Sequence, residues 1–128
     1  MTGVRLPVFV YGTLRTGDVG FLALDLAERV DSLGMAAVAG TLIDLGDYPG
    51  AVVGSGGVIT GELLMPRDDA VLALLDDYEM FDPLDPAGSE YVRRQIETLG
   101  TGLSVWIYVY NRDHGQAPVI TSGDWASR

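Results

Sequence analysis

The chain has 128 residues and a formal net charge of −10, with 18 acidic side chains against 8 basic ones, all of them arginine. A basic face able to neutralise phosphates is not available from this composition, which counts against nucleic acid and anionic membrane surfaces as partners. Cysteine is absent, so disulfides, thiolate zinc sites and cysteine nucleophiles are excluded. The length suits one domain, residues 1–128, with a real core. Met1 to Pro7 holds no apolar segment of signal-peptide length and no run is long enough to span a bilayer, so a soluble, cytoplasmic protein is expected.

Leu6 to Tyr11 reads as a buried strand, continuous and β-branched rather than alternating. It stops at a Tyr11-Gly12-Thr13 turn, followed by the polar residues Arg15, Thr16, Gly17 and Asp18. A strand delivered into a glycine turn leaves backbone N–H groups at the end of a sheet, a common way to build an anion or substrate pocket. Asp18 is placed to cap a helix from about Val19 to Val30. Phe21, Leu22, Leu24, Leu26 and Val30 supply its apolar face, and Asp25, Glu28 and Arg29 point outward.

Gly34 to Leu45 is a strand of small residues interrupted by Gly40. Turns at 46–50 and 54–57 bracket the apolar piece Ala51-Val52-Val53, and Val58 to Met65 is a strand expected to bulge or bend at Gly61. Asp68 caps a second helix running to about Glu79. A loop rich in Pro, Asp and Gly, Phe81 to Gly88, follows. Tyr91 to Leu99 then pairs with Leu103 to Tyr110 across Gly100-Thr101-Gly102 as a hairpin. The tail from Gly115 to Arg128 is irregular. Six or so strands with two helices indicate an α+β fold with a mostly antiparallel, strongly curved sheet, open or closed into a small barrel.

The second helix carries an acid where periodicity puts apolar side chains. At 100° per residue, Val71, Leu72, Leu74, Leu75 and Tyr78 form one apolar arc, with Asp76 and Asp77 expected to face solvent. Glu79, four residues after Leu75 and seven after Leu72, lies on the core-facing side. It also occupies the last turn, where the helix dipole disfavours negative charge. Burial and dipole together should raise its pKa and suit it to proton transfer near neutral pH. The alternative is a frayed helix end that turns Glu79 out to water.

Other groups carry less. His114, the single histidine, sits among Asn111, Arg112 and Asp113 and reads as a surface residue. Gly54, Gly56 and Gly57 are not followed by a helix with a Lys-Ser/Thr pair, so a P-loop is excluded. Tyr91, Trp106, Tyr108 and Tyr110 are ordinary strand residues, of which one or two hydroxyls are available to line a pocket.

The segment Val8-Phe9-Val10-Tyr11-Gly12-Thr13-Leu14-Arg15 resembles the Tyr-Gly-Ser/Thr-Leu signature of the gamma-glutamylcyclotransferase-like superfamily, in particular its short gamma-glutamylamine cyclotransferase branch. Leu75-Asp76-Asp77-Tyr78-Glu79 is similar to the family's Leu-Asp-x-Tyr/Phe-Glu segment, whose glutamate is catalytic. Asp47-Tyr48-Pro49, Tyr91-Val92-Arg93, Trp106 to Tyr110 and Ser122-Gly123-Asp124-Trp125 match in the same order. The resemblance implies a small β-barrel with flanking helices, Glu79 as the catalytic acid/base, and substrate-binding roles for Tyr11, Gly12, Thr13, Leu14, Tyr48, Arg93 and Tyr108. It also implies a small gamma-glutamyl substrate, closure of the glutamyl unit to 5-oxoproline with release of an amine, no metal or cofactor, and a monomer or weak dimer. Met80 to Glu90, long and rich in Pro and Asp, directly follows Glu79 and suits a lid or a wall of the leaving-group pocket.

Three functions remain to be separated: the cyclotransferase, a non-catalytic module of the same fold that binds a small amino-acid-like ligand, and an interaction protein whose acidic surface meets a basic partner. The last requires an exposed Glu79 and no pocket beside Tyr11.

Overall fold

A computed structural model describes residues 5–128, the side chain of Ser55 apart. Residues 1–4, part of the segment read above for a signal sequence, lie outside the described residues. The elements run β1 (Val8–Val10), α1 (Val19–Ala23), β2 (Val30–Asp44), β3 (Pro49–Pro66), α2 (Asp69–Tyr78), β4 (Tyr91–Glu97) and β5 (Ser104–Tyr110). Short 3-10 turns occupy Leu26–Glu28, Pro86–Gly88 and Trp125–Ser127. No helix is long and apolar enough to cross a membrane among the described residues.

The strands form one sheet in the order β2-β3-β1-β5-β4. Its pairings are antiparallel except that β1 runs parallel to β5, with Val8 opposite Trp106 and Phe9 opposite Ile107. The fold is thus α+β and mostly antiparallel. The sheet is not closed: β2 and β4 are its edges, approaching near one corner through a backbone bond of 2.8 Å from Leu99 N–H, just past β4, to the Ala37 carbonyl of β2. The small closed barrel implied by the resemblance is therefore not formed; the sheet stays open.

The unbroken apolar run in β1 has a direct physical cause. Val8 and Val10 face the helices, packing with Phe21, Leu26, Val71 and Leu75. Phe9 and Tyr11 face the other way, into a second core with Val38, Leu42, Ile59, Ile107 and Trp125. Both faces of the strand are buried, so neither can alternate with polar residues.

Three expectations are corrected. The first helix ends at Ala23 rather than Val30, because Asp25 adopts a left-handed conformation (φ 55°) that turns the chain, and Val30 opens β2. Leu22, expected on its apolar face, is exposed. The segments 51–53 and 58–65 run on as the single strand β3, and the irregularity sits where Ala39 pairs with Val58 but Gly40 pairs with Val53, leaving 54–57 as extra residues. Gly61 lies in regular register opposite Ala36. Its missing side chain serves a close approach instead, since a Cβ there would come within 2.5 Å of the Val10 carbonyl oxygen and 2.6 Å of the Phe9 ring.

Candidate active site

β1 hands the chain directly into the 12–18 turn, and that turn is held from several sides. The Thr13 carbonyl accepts the N–H groups of Gly20 and Phe21 at 2.8 and 3.1 Å, fixing it to the start of α1. The Thr13 hydroxyl lies 3.0 Å from the Tyr78 hydroxyl on α2. Glu62 on β3 accepts from Thr16 N–H (2.8 Å), the Thr16 hydroxyl (2.5 Å) and the Ser32 hydroxyl (2.6 Å). Burial pushes the Glu62 carboxyl up, but these hydrogen bonds and the nearby Arg15 charge outweigh it and hold the carboxyl below its usual range. Arg15 itself donates to Asp124 at 2.7 Å and ties the turn to the C-terminal segment. Gly12 packs so closely on Pro49 that a Cβ would meet the proline ring at 2.7 Å.

So anchored, the turn leaves three of its backbone donors unused. The N–H groups of Gly12, Thr13 and Leu14 donate to no acceptor among the described residues. Consecutive free N–H groups at a strand end are a ready partner for a carboxylate or a polarised carbonyl.

Glu79 reaches the same space from α2. The helix starts at Asp68, whose carboxylate accepts the N–H groups of Ala70 and Val71. It ends at Glu79, the C-cap, with a paired closure: Phe81 N–H bonds to the Asp76 carbonyl at 2.9 Å and Met80 N–H to the Asp77 carbonyl at 3.1 Å. This is the Schellman arrangement, which places the following residue in the left-handed region. That residue is Met80, at φ 57°. The helix does not fray.

The Glu79 carboxyl accepts no hydrogen bond among the described residues. One side of the side chain opens on a cavity of about 330 Å³, and protein surrounds the rest. Burial, reinforced by the charge of Glu90, raises its pKa to about 8. The cavity is lined by Tyr11, Gly12, Thr13 and Leu14 from β1 and its turn, Asp47, Tyr48 and Pro49 from the β2–β3 corner, Tyr78, Glu79 and Met80 from α2, and Glu90, Tyr91 and Tyr108.

Of the residues singled out from sequence, the structure brings Tyr11, Gly12, Thr13, Leu14, Tyr48, Glu79 and Tyr108 to this one cavity. Arg93 is not on its wall. Its guanidinium donates to Asp76 at 2.9 Å and 3.3 Å and lies 4.4 Å from the centre of the Trp106 ring. The tyrosine hydroxyls are committed to the frame. Tyr11 donates to the Tyr108 carbonyl at 2.5 Å and accepts from Ala51 N–H at 3.1 Å. Tyr91 donates to the Pro49 carbonyl at 2.7 Å, and Tyr108 to Asp76 at 2.6 Å. Burial is the main cause that pushes all three phenols above their usual range.

Two residues escaped sequence reasoning. Asp76, expected in solvent, is buried and holds Tyr108 and Arg93 together. Its position four residues after Leu72 was the available signal. Glu90 lines the cavity and accepts from the Tyr48 hydroxyl at 2.6 Å, which pushes the Tyr48 phenol up to about 12. Glu90 N–H also bonds to the Met80 carbonyl at 3.1 Å, so the two ends of the 80–90 loop meet at the cavity wall. His114 is exposed, and no group of three acidic or histidine side chains is arranged to hold a metal among the described residues.

The family model for gamma-glutamyl cyclotransferase, AIG2-like proteins matches residues 8–127. The chain belongs to that family. A relative in Vibrio cholerae, described as a putative gamma-glutamylcyclotransferase, is 38% identical over 122 residues, covering 94% of this chain and 96% of its own. The solution structure of the protein ytfP from Escherichia coli superposes with a TM-score of 0.68 at 34% identity, covering 94% of this chain and 96% of that one. An AIG2-like protein from Mus musculus superposes at 0.62 with 26% identity, covering 86% and 78%. Within the cyclotransferase family frame, the paired features of this chain are the free N–H groups at the end of β1 and the unpartnered carboxyl at the end of α2.

Proposed function

We propose that the protein is a gamma-glutamyl(amine) cyclotransferase with Glu79 as its acid/base. The observation that carries this reading is the meeting of an up-shifted, unpartnered Glu79 carboxyl and the free N–H groups of Gly12 to Leu14 on one cavity. The N–H groups receive the α-carboxylate or the γ-carbonyl oxygen of the glutamyl unit, with Tyr11, Tyr48 and Tyr108 shaping the walls. Arg93 then contributes by holding Asp76 rather than by touching substrate.

The substrate enters with its α-ammonium against Glu79. The carboxylate removes one proton, and the freed amine attacks the γ-carbonyl carbon of the same unit, forming the ring C–N bond. As the tetrahedral centre collapses, the bond to the leaving nitrogen breaks. Two of the three original ammonium protons finish on that nitrogen, relayed by Glu79, and it departs as an ammonium ion while 5-oxoproline remains. The attack is intramolecular, so holding the chain in a folded conformation supplies much of the acceleration. A pKa of about 8 lets Glu79 accept and return a proton near neutral pH.

A single domain, working in the cytoplasm as a monomer or weak dimer, belongs to the same proposal. The test offers gamma-glutamyl amines, gamma-glutamyl dipeptides and glutathione and follows 5-oxoproline. Turnover of at least one, lost on Glu79→Gln with the fold intact, is the expected result. No turnover across the panel, or a fully active Glu79→Gln protein, overturns it.

A further inference from the structure

Two acidic side chains, Asp76 and Glu62, are both buried and hydrogen-bonded through each of their oxygens. Asp76 secures the helix that ends on Glu79. Glu62 is joined instead to the turn that carries the free N–H groups. It lies in the middle of the sheet, opposite Val10 on one side and Met35 on the other, and the next residues along β3, Leu63 and Leu64, are buried and apolar. An apolar side chain of similar size would serve stability as well or better here, because a buried carboxylate must first recover its lost hydration. The use of an acid at this position is therefore explained by what its oxygens hold.

One oxygen accepts Thr16 N–H at 2.8 Å, and the other accepts the Thr16 hydroxyl at 2.5 Å and the Ser32 hydroxyl at 2.6 Å. Thr16 lies two residues after Leu14, and the intervening Arg15 closes back on the turn through its N–H to the Gly12 carbonyl at 3.1 Å. Glu62 thus fixes the exit of a tight turn whose entry is pinned by Gly12 against Pro49. Arg15 adds a parallel tie through Asp124 at 2.7 Å. The adjacent Gly123 carbonyl accepts Thr60 N–H at 2.8 Å, so this tie also returns to β3. None of Arg15, Thr16, Glu62 and Asp124 lines the cavity, so they reach a ligand there only through the turn. We propose that Glu62 is a positioning residue for the reaction: by holding Thr16 it keeps the N–H groups of Gly12, Thr13 and Leu14 in fixed directions before substrate arrives. The inference rests on the cyclotransferase reading for what those N–H groups receive, and it names the residue that arranges them.

The experiment compares the parent with variants that cut the network at chosen bonds. Glu62→Ala removes every bond to the carboxylate. Thr16→Val removes only the hydroxyl bond, at an exposed residue. Ser32→Ala removes the bond that does not reach the turn. Glu62→Gln keeps an oxygen for Thr16 N–H and turns its NH2 toward the two hydroxyl oxygens. On a gamma-glutamyl substrate that the parent turns over, kcat/KM should fall about a hundredfold in Glu62→Ala and about tenfold in Thr16→Val. Ser32→Ala should stay within about twofold, and Glu62→Gln should restore most of what Glu62→Ala loses. Nitrogen-15 NMR reads the turn without substrate: the Gly12, Thr13 and Leu14 amide resonances should shift or broaden in Glu62→Ala and Thr16→Val and keep their parent positions in Ser32→Ala. A folded Glu62→Ala protein with parent-like kcat/KM overturns the inference and leaves the cyclotransferase reading standing. Ser32→Ala as damaging as Thr16→Val also overturns it, since the carboxylate would then serve the sheet at large. If Glu62→Ala does not fold, the contrast between Thr16→Val and Ser32→Ala decides. No turnover by the parent, with turn amides that respond to Thr16→Val and not to Ser32→Ala, overturns the activity and supports the hold of Glu62 on the turn. No turnover and unresponsive amides overturn both.

Discussion

Tyr108 on β5 donates its hydroxyl to Asp76 on α2 at 2.6 Å, three residues before Glu79 in the same helix. Arg93 on β4 donates to both oxygens of that carboxylate, sharing Oδ1 with Tyr108. The last turn of α2 is thereby fastened to the central part of the sheet and to its edge, and with it the direction in which Glu79 points.

Removing the carboxylate should be costly. Asp76→Ala leaves Arg93 and Tyr108 without their partner in a largely buried setting, a loss of about 3 kcal/mol. Tyr108→Phe keeps the Asp76–Arg93 pair and should cost about 1–2 kcal/mol. Urea unfolding with an unchanged m-value measures both. A midpoint for Asp76→Ala equal to that of the parent would show that the network contributes nothing.

Much of this arrangement was legible in the sequence, but unevenly. The continuous apolar run of β1 announced burial on both faces, and the period of α2 with its Asp68 cap gave a helix ending on an inward Glu79. Local chemistry decides those features. What stayed hidden depends on partners distant in the chain. The Asp76 carboxylate looks like an outward acid until Arg93 and Tyr108 arrive from the hairpin to satisfy it. The parallel contact of β1 with β5, nearly a hundred residues apart, has no sequence signature of its own. The early end of α1 was equally silent, since Leu22, Leu26 and Val30 keep a helical spacing of four while Asp25 turns the backbone away.

The glycine at the end of β1 is required by packing. Gly12 is not in the left-handed region, but a methyl group there would run into the Pro49 ring at 2.7 Å. Gly12→Ala should therefore separate the turn from the β2–β3 corner and destabilise by roughly 1–3 kcal/mol. It should also weaken binding of any ligand held by the turn's N–H groups. Thermal unfolding checks the first effect, and a parent-like melting temperature would contradict it.

Met80 holds a left-handed conformation that side chains resist, in the position where helix-closing motifs favour glycine. Met80→Gly should relieve about 1 kcal/mol of strain in the folded state, offset in part by the greater freedom of glycine in the unfolded chain. The side chain is largely exposed, so little packing is lost. Equilibrium unfolding should find the variant at least as stable as the parent. A clear loss of stability would mean that the Met80 side chain holds the 80–90 loop in place.

The pKa of Glu79 makes stability itself a probe of the site. Its carboxyl ionises at about 8 in the folded protein, against 4.5 for an unperturbed glutamate. Below 4.5 the group is neutral in both states and contributes no difference. Between the two values the folded protein retains a proton that the unfolded chain has released, so stability falls as pH rises, by at most about 1.4 kcal/mol per pH unit. Above about 8 both states are ionised and the penalty is complete. Glu79→Gln carries no such penalty, so its stability relative to the parent should climb through this window and then level off. Glu90→Gln removes the neighbouring charge, lowers the folded pKa of Glu79, and should end the climb at a lower pH. Urea midpoints of the three proteins, taken across the window and compared as differences, isolate this group from the other acids. A flat difference between Glu79→Gln and parent would mean that the carboxyl meets water freely, and the proton-transfer role assigned to it would lose its physical basis.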